Sequence, residues 1–388
     1  MKRGTTFKKS FTVLMITFFL LTGTTFGFAQ STSQGKASLP DIMTWTAYGM
    51  GSAGYVMAAS VGNALFKKYN SRLRIIPSGT DFGRLSPLKD GKVEYSLNGL
   101  STWLAWRGVH DFATLELGPQ PLRVVWQTAG DAGVASAKDA NIINPAVDLK
   151  GKRWGYMTND PSFNFYLNKA DLAFFGLTDK DVVKVIYPNA MAHWKGIVEG
   201  KSDVAFFSLG ASTAYELASS HRGIRWIEYP AADKEGWARL QKVAPFLGPK
   251  LISKGPGIVP GKDKPLEMIT YAYPSLVTYD KKDDNSVYNL TKAIHESYDL
   301  YKDDNVSMPS WRLEDALKTP QFAPFHRGTI KYFKEIGVWT KELEATNKRL
   351  LTEEKERMAR WKKFRSEALQ KKYSPDEIRK LWDKSEEL

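Results

Sequence analysis

The chain has 388 residues, a formal net charge of +13 and 43% hydrophobic residues. This length predicts two or three domains or one large two-lobed domain, and the apolar content is sufficient for buried cores. It contains no cysteine, which excludes disulfides, thiol catalysis, Cys-bound zinc and a lipidated N-terminal Cys. No arginine-rich arm or nucleic-acid motif accompanies the positive charge, so we expect no nucleic-acid partner. The charge favours small anionic ligands or anionic surfaces instead.

The N-terminal segment is typical of a secretory signal peptide. Four basic residues within the first nine precede an apolar stretch at 11–21, which is shorter than the roughly 20 residues of a membrane-spanning helix. A small-residue exit follows at 27–29. We therefore expect cleavage near Ala29 and a mature protein that is periplasmic.

From Asp41 onward, short β-rich stretches alternate with helical ones. Because this alternation is typical of parallel sheets, the sequence predicts an α/β protein in which a second unit repeats the first. The segment 245–265, rich in Pro, Gly and Lys, is expected to be an irregular connection. Strands are predicted at 42–48, 72–77, 95–98, 122–128, 154–156, 182–187, 204–207, 224–227 and 271–278.

The C-terminal part differs from the rest. Apolar residues from Leu343 to Trp361 recur at helical spacing among many charges, and the capping box at 374–377 begins a second, shorter helix. This extension is expected either to pack against the body or to bind a partner, including a second copy of the chain as a dimer. The expected divisions are a signal peptide at 1–29, a first lobe at 40–127, a second lobe at 128–267, a return to the first lobe at 268–340 and a charged helical extension at 341–388.

A glycine-rich turn at 49–54 follows the first strand and opens a helix. Its Gly-x-Gly-x-x-Gly spacing lets backbone N–H groups approach an anion. A dinucleotide site also needs an acidic residue at the end of the second strand, and Asp81 comes too late for that role. The turn is therefore better interpreted as a nest for a carboxylate or another anion.

Three further turns carry polar groups suited to a ligand. Ser78-Gly79-Thr80 follows the second strand, and Arg84 lies one helical turn further on, where a guanidinium can clamp a carboxylate at two points. Ser162 and Ser208 also follow strands, and each is either a helix cap or a ligand donor.

Catalytic and metal-binding patterns are missing from the sequence. There is no Gly-x-Ser-x-Gly elbow and no His-Glu-x-x-His. The acidic cluster at 280–284 lacks the glycine and the bidentate Glu of a calcium loop. We therefore expect no enzyme activity, no catalytic residue, no metal and no cofactor.

Five segments between about Thr44 and Trp339 carry a family resemblance. The first three are a glycine turn followed by a tyrosine (49–55), a stretch that contains an Asp-Gly turn (85–94) and an aromatic run that ends in glycine (103–108). The last two are a Gly-Lys-x-Asp-x-Ala-Phe-Phe strand (199–207) and a closing signature (326–339). In order and spacing these segments resemble the solute-binding proteins of TRAP transporters, specifically the TAXI subfamily.

The resemblance implies a two-lobed periplasmic-binding fold of the α/β class, type II-like or Venus flytrap, here with an extra helical tail. A small solute would be held between the lobes and delivered to TRAP membrane permease subunits driven by an ion gradient. Members of the family bind glutamate-like or 2-oxoglutarate-like carboxylates, which implies an organic-acid or amino-acid solute. The expected ligand-binding residues are Gly49, Met50, Gly51, Ser52, Tyr55, Ser78, Gly79, Thr80, Arg84, Asn98, Trp103, Asp160, Ser162, Phe163, Asn164 and Ser208.

The chain departs from the family at several of these positions. Arg84 stands where the family commonly has Asn, and it favours an anionic solute. The 160–163 turn replaces a Gly-Ser-Gly-Thr-like turn, and Phe163, Trp103 and Trp106 would admit an aromatic or bulkier solute. Two alternatives remain open: a ligand sensor that docks a membrane signalling protein, and an exported enzyme on the same fold.

Overall fold

The strands follow the alternation expected from the sequence. The computed structural model describes residues 35–158, 162–259 and 264–386, so the predicted signal peptide lies outside the described residues. In chain order the strands are β1 (Ile42–Ala47), β2 (Arg72–Pro77), β3 (Tyr95–Asn98), β4 (Leu122–Ala129), β5 (Ala132–Ala137), β6 (Arg153–Met157), β7 (Val183–Tyr187), β8 (Val204–Ser208), β9 (Ile224–Trp226), β10 (Gly248–Ile252), β11 (Leu266–Thr270) and β12 (Ala272–Tyr279).

Several helices begin at capping side chains that accept hydrogen bonds from the first turn. A π-helical stretch, Ser162–Asn168, precedes the fifth α-helix. In chain order the α-helices are α1 (Ala53–Tyr69), α2 (Asp81–Lys89), α3 (Ser101–Arg107), α4 (Pro145–Asp148), α5 (Lys169–Phe174), α6 (Ala190–Val198), α7 (Ser212–Ser219), α8 (Lys234–Val243), α9 (Asp284–Glu296), α10 (Tyr298–Tyr301), α11 (Leu313–Lys318), α12 (Arg327–Glu335), α13 (Lys341–Lys371) and α14 (Pro375–Ser385).

The strands form two sheets. The first sheet has the order β2-β1-β3-β12-β4, with β1 parallel to β2 and β3, and β12 antiparallel to both of its neighbours. Trp45 and Trp126 are fully buried on its strands. We call the part of the chain built on this sheet the first lobe.

The second sheet has the order β10-β11-β5-β8-β6-β7, with β9 paired to β5. Strand β6 runs parallel to β7 and β8, whereas β5 runs antiparallel to β8. We call this part the second lobe. The chain enters it after β4 and leaves it between β11 and β12, at Tyr271. The prediction of an α/β fold with two lobes is confirmed.

Three strands, β5, β10 and β11, are not among the strands predicted from the sequence. Strand β10 lies inside the 245–265 segment, so the prediction of an irregular connection there is wrong in part. It contains Pro249, and an edge strand tolerates proline because one of its sides needs no ladder hydrogen bond. Strand β5 consists mainly of small residues and is fully buried, so it lacks the alternation that marks a half-exposed strand.

The C-terminal extension packs against the first lobe. Helix α13 runs for 31 residues and α14 returns beside it, with the Trp361 and Trp382 rings 4.8 Å apart. The predicted capping box of Ser374 and Glu377 is present at the start of α14. Helix α13 lies near α3, and α14 near the 3₁₀ turn His110–Phe112. Within the described ranges, no helix combines the length and the apolar composition needed to cross a membrane.

Candidate ligand-binding site

The carboxyl ends of the parallel strands face each other across the gap between the two sheets. Because successive strand-to-helix turns meet at such an edge, ligand sites commonly form there. A cavity of about 70 Å³ lies at this place. The first lobe supplies Tyr48 after β1, Gly79, Asp81 and Arg84 after β2, and Leu100 and Ser101 after β3.

The second lobe supplies the opposite wall of the cavity. Tyr271 and Tyr273, where the chain returns to the first lobe, complete the enclosure. Burial raises the pKa of both phenols, so they stay neutral at physiological pH. The second-lobe residues are Met157, Ser162, Phe163, Leu167, Ala190, Trp194, Phe206 and Ser208.

Arg84 is buried in the cavity wall with its guanidinium held from several sides. Its Nε donates to Asn98 Oδ1 at 3.1 Å, and Nη1 donates to the Ser78 carbonyl at 3.3 Å. Its Nη2 pairs with Asp81 Oδ1. The Tyr48 ring lies 3.9 Å from the Arg84 Cζ atom, within range of a cation–π interaction. The guanidinium is therefore fixed in place before any ligand arrives.

Hydrogen bonds join the two lobes beside the cavity. Ser162 Oγ of the second lobe donates to Asp81 Oδ2 of the first lobe at 2.6 Å. The backbone N–H and the hydroxyl of Ser212 both donate to the Gly51 carbonyl, at 3.0 and 2.9 Å. These contacts exist only while the lobes are together, so the structure shows the cleft closed.

A third connection between the lobes involves the extension. His110 Nε2 is hydrogen-bonded to the Tyr166 hydroxyl at 3.1 Å, and Tyr166 belongs to the π-helical stretch that also carries Ser162. The other ring nitrogen of His110 lies 3.2 Å from Asp383 in α14. The extension thus supports a first-lobe residue that contacts the second lobe.

Of the expected ligand-binding residues, five line the cavity and one cannot be placed. The five are Gly79, Arg84, Ser162, Phe163 and Ser208. Asp160 lies outside the described residues.

The other ten expected residues do not line the cavity, and most of their side chains are engaged elsewhere. Ser52 and Thr80 cap helices, accepting from Tyr55 N and Gly83 N. Met50 is 67% exposed. The ten are Gly49, Met50, Gly51, Ser52, Tyr55, Ser78, Thr80, Asn98, Trp103 and Asn164.

Two of these ten residues, Asn98 and Asn164, form hydrogen bonds with residues that line the cavity. Asn98 accepts from Arg84 Nε, and Asn164 Oδ1 accepts from the backbone N–H of Met157 at 3.0 Å. Trp103 packs edge-on to Tyr166, with ring centroids 5.5 Å apart, behind the cavity wall.

Sequence reasoning missed most of the aromatic wall. Tyr48 directly follows β1, so the rule that ligands meet strand ends would have identified it. Tyr271 and Tyr273 begin an antiparallel strand that starts at the same edge, and no local pattern marks them. Asp81 was considered only as a ribose ligand. Among the described residues, no group of three His, Asp or Glu side chains is placed to hold a metal ion.

Two α/β lobes with a cavity at their facing strand ends define the two-lobed periplasmic-binding fold. The sequence model of the NMT1-like family matches residues 46–337. This range covers most of both lobes and excludes the extension. The chain therefore belongs to the NMT1-like family. No curated protein sequence matches this chain.

The chain is also similar to several solved structures, at low identity. A protein from Bordetella bronchiseptica RB50 is 15% identical with a TM-score of 0.45, over 81% of this chain and 89% of that one. The periplasmic aliphatic sulphonate binding protein SsuA from Escherichia coli is 14% identical with a TM-score of 0.39, over 68% and 74%. The alkanesulfonate-binding protein SsuA from Xanthomonas axonopodis pv. citri, bound to MOPS, is 13% identical with a TM-score of 0.40, over 79% and 96%. These values are too low to transfer a ligand.

Proposed function

We propose that this chain is the extracytoplasmic solute receptor of a TRAP transporter of the TAXI subfamily. It binds a small carboxylate-bearing solute between its lobes and delivers the solute to a membrane permease. The observation that carries the proposal is a cavity enclosed by both lobes with Arg84 fixed in its wall. Enclosure excludes water and strengthens the electrostatic contacts of a bound solute.

The contacts between the lobes support a binding cycle. A solute shifts the open–closed equilibrium only by the difference between its affinities for the two states. A solute that touches both walls gains contacts on closure, together with the hydrogen bonds from Ser162 and Ser212. The permease would then bind the closed, solute-bound form of the receptor.

The chemistry of the cavity supports binding rather than catalysis. Among the described residues that line it, no histidine is present and the single carboxylate is Asp81. That carboxylate is engaged by Arg84 and by Ser162. A general base would need an accessible proton acceptor close to the reacting group. The predicted signal peptide supports delivery of this receptor to the periplasm.

The first test is native mass spectrometry of the protein purified without refolding, followed by identification of any small molecule released on denaturation. We expect one organic acid or amino acid per chain. An empty protein would be assayed by thermal shift with dicarboxylates, amino acids and aromatic acids. Sustained product formation from the bound molecule would contradict the receptor proposal.

A matched pair of arginine variants tests the site. Arg84→Ala should weaken solute binding by roughly 10- to 100-fold, since hydrogen bonds to charged groups contribute about 1.5–3 kcal/mol each. Arg74→Ala is the control because Arg74 is exposed on the same strand-to-helix unit. Calorimetry on variants with unchanged circular dichroism gives the affinities. Equal affinities would remove Arg84 from the site.

A further inference from the structure

The two charged side chains that line the cavity form an ion pair with each other. Among the described residues that line it, only Asp81 and Arg84 are charged, and Arg84 Nη2 contacts Asp81 Oδ1. Their side chains are 13% and 3% exposed. The wall that meets a solute is therefore close to neutral overall, although it presents a positive group and a negative group side by side.

A solute with only negative charge does not complement this wall. Its carboxylate would gain from Arg84 and lose from Asp81, because both groups lie within reach of the same small volume. Where the solute displaces water from this cavity, such like-charge contacts are costly. A solute that carries one charge of each sign places each charge beside an opposite one.

We propose that the cavity selects a small zwitterion, with a carboxylate bound by Arg84 and a protonated or quaternary amine bound by Asp81. This inference rests on the proposed receptor function and narrows its solute class. Asp81 can accept further hydrogen bonds from an amine. A carboxylate has about four lone-pair sites, and Ser162 and Arg84 each use one in the contacts described.

The aromatic walls favour the same solute. Aromatic ring faces attract cations, and the Tyr48 face already lies against the Arg84 guanidinium at 3.9 Å. Tyr273 stands edge-on to Tyr48 with centroids 5.3 Å apart, and Tyr271 is 5.6 Å from Tyr273. An ammonium group held by Asp81 would thus be close to aromatic rings as well as to a carboxylate.

The size of the cavity limits the solute. A volume of about 70 Å³ holds roughly five water molecules at 10–15 Å³ each. In the closed form this corresponds to a solute on the scale of a small amino acid or its N-methylated betaine.

The test compares acids that differ only in the amine. The probes are L-alanine with propionate, L-glutamate with glutarate, and glycine betaine with 3,3-dimethylbutyrate, in which carbon replaces the quaternary nitrogen. Each is followed by thermal shift and calorimetry on the full mature chain. We expect at least one amine-bearing probe to bind and its deaminated partner to bind at least tenfold more weakly. A deaminated acid that binds as tightly as its amine-bearing partner would overturn the zwitterion proposal and leave the receptor proposal intact.

Asp81→Asn provides the complementary measurement. Removing the negative charge should abolish the preference for the amine and raise the relative affinity for the simple acids at least tenfold. Asp90→Asn is the control, because Asp90 ends the same helix at an exposed position. Unchanged discrimination in Asp81→Asn would contradict the proposal. If no probe binds the wild type and no small molecule is released from the purified protein, the receptor proposal itself fails.

Discussion

Two buried arginine–carboxylate pairs, each with its arginine in the first lobe, have different surroundings. Arg84 and Asp81 lie in the cavity wall, and the second oxygen of Asp81 is bonded to the opposite lobe. Arg123 of the first lobe pairs with Glu354 of helix α13, so this pair joins the first lobe to the extension. There Nη1 and Nη2 of the guanidinium contact both carboxylate oxygens, at 2.7 and 2.8 Å.

The pair between Arg123 and Glu354 is buried and has further hydrogen-bond partners. Trp106 Nε1 donates to Glu354 Oε2 at 2.8 Å, and Arg123 Nη1 also donates to the Leu122 carbonyl at 2.9 Å. Helix α13 supplies the carboxylate of this pair, whereas a cavity adjoins the Arg84 pair. The same ion-pair chemistry therefore serves to hold the extension in one place and to meet a solute in the other.

The largest expected effect follows from breaking the pair between Arg123 and Glu354. Glu354→Ala leaves the Arg123 charge and the Trp106 N–H buried without their acceptor, which should lower the free energy of unfolding by about 3–5 kcal/mol. Urea unfolding followed by tryptophan fluorescence measures this loss. Solute affinity of the folded fraction should stay near the wild-type value, because the cavity does not include this pair.

The control for this prediction is Glu356→Ala, two residues along the same helix and exposed. It should change stability by no more than about 0.5 kcal/mol. Similar unfolding midpoints for Glu354→Ala and the wild type would show that the extension does not depend on this pair.

A buried histidine behind the cavity wall should produce the next largest effect. His193 is fully buried, and neither ring nitrogen has a hydrogen-bond partner among the described residues. It packs against Phe163 of the wall and over Gly155, where any side chain would overlap the imidazole. Burial lowers its pKa to about 3.

This shift makes stability dependent on pH. Because the unfolded imidazole has a pKa near 6.5, the unfolded state binds more protons between pH 6.5 and about pH 3. The stabilisation is complete above pH 6.5 and declines as the pH falls through this window. From pH 7 to pH 5 the wild type should lose on the order of 2 kcal/mol more than His193→Leu does.

Urea unfolding at both pH values measures that difference. The control is His221→Leu, the same substitution at an exposed histidine. Parallel pH profiles for His193→Leu and the wild type would show that His193 is not held neutral by burial.

The sequence predicted the strand ends better than it predicted the side chains that meet at them. Gly79, Arg84, Ser162 and Ser208 lie in or just after turns that follow predicted strands, and all four reach the cavity. Trp103 also comes shortly after a strand, yet its ring packs against Tyr166 instead. Which way such a side chain points depends on packing between lobes, which no local pattern encodes.

The role of Asp81 was hidden for the same reason. Its spacing from Arg84 places the two on one helix face, but only the fold brings Ser162, 81 residues further along the chain, to the second carboxylate oxygen. Strands β10 and β11 were missed because their Pro, Lys and Glu residues interrupt the apolar alternation that marks a strand.

The smallest expected effect concerns the hydrogen bond from Ser162 to Asp81, which joins the lobes beside the cavity. Ser162→Ala should destabilise the closed form by about 1–2 kcal/mol and weaken solute binding by roughly 5- to 30-fold, with little change in global unfolding. Since the chain has no cysteine, spin labels at Lys92→Cys and Lys201→Cys, exposed positions on the two lobes, report the distance between lobes without background. The variant should show a larger open population, and Ser366→Ala on the extension should not. An unchanged distance distribution and affinity would mean that this bond forms without contributing to closure, and that the walls alone hold the solute.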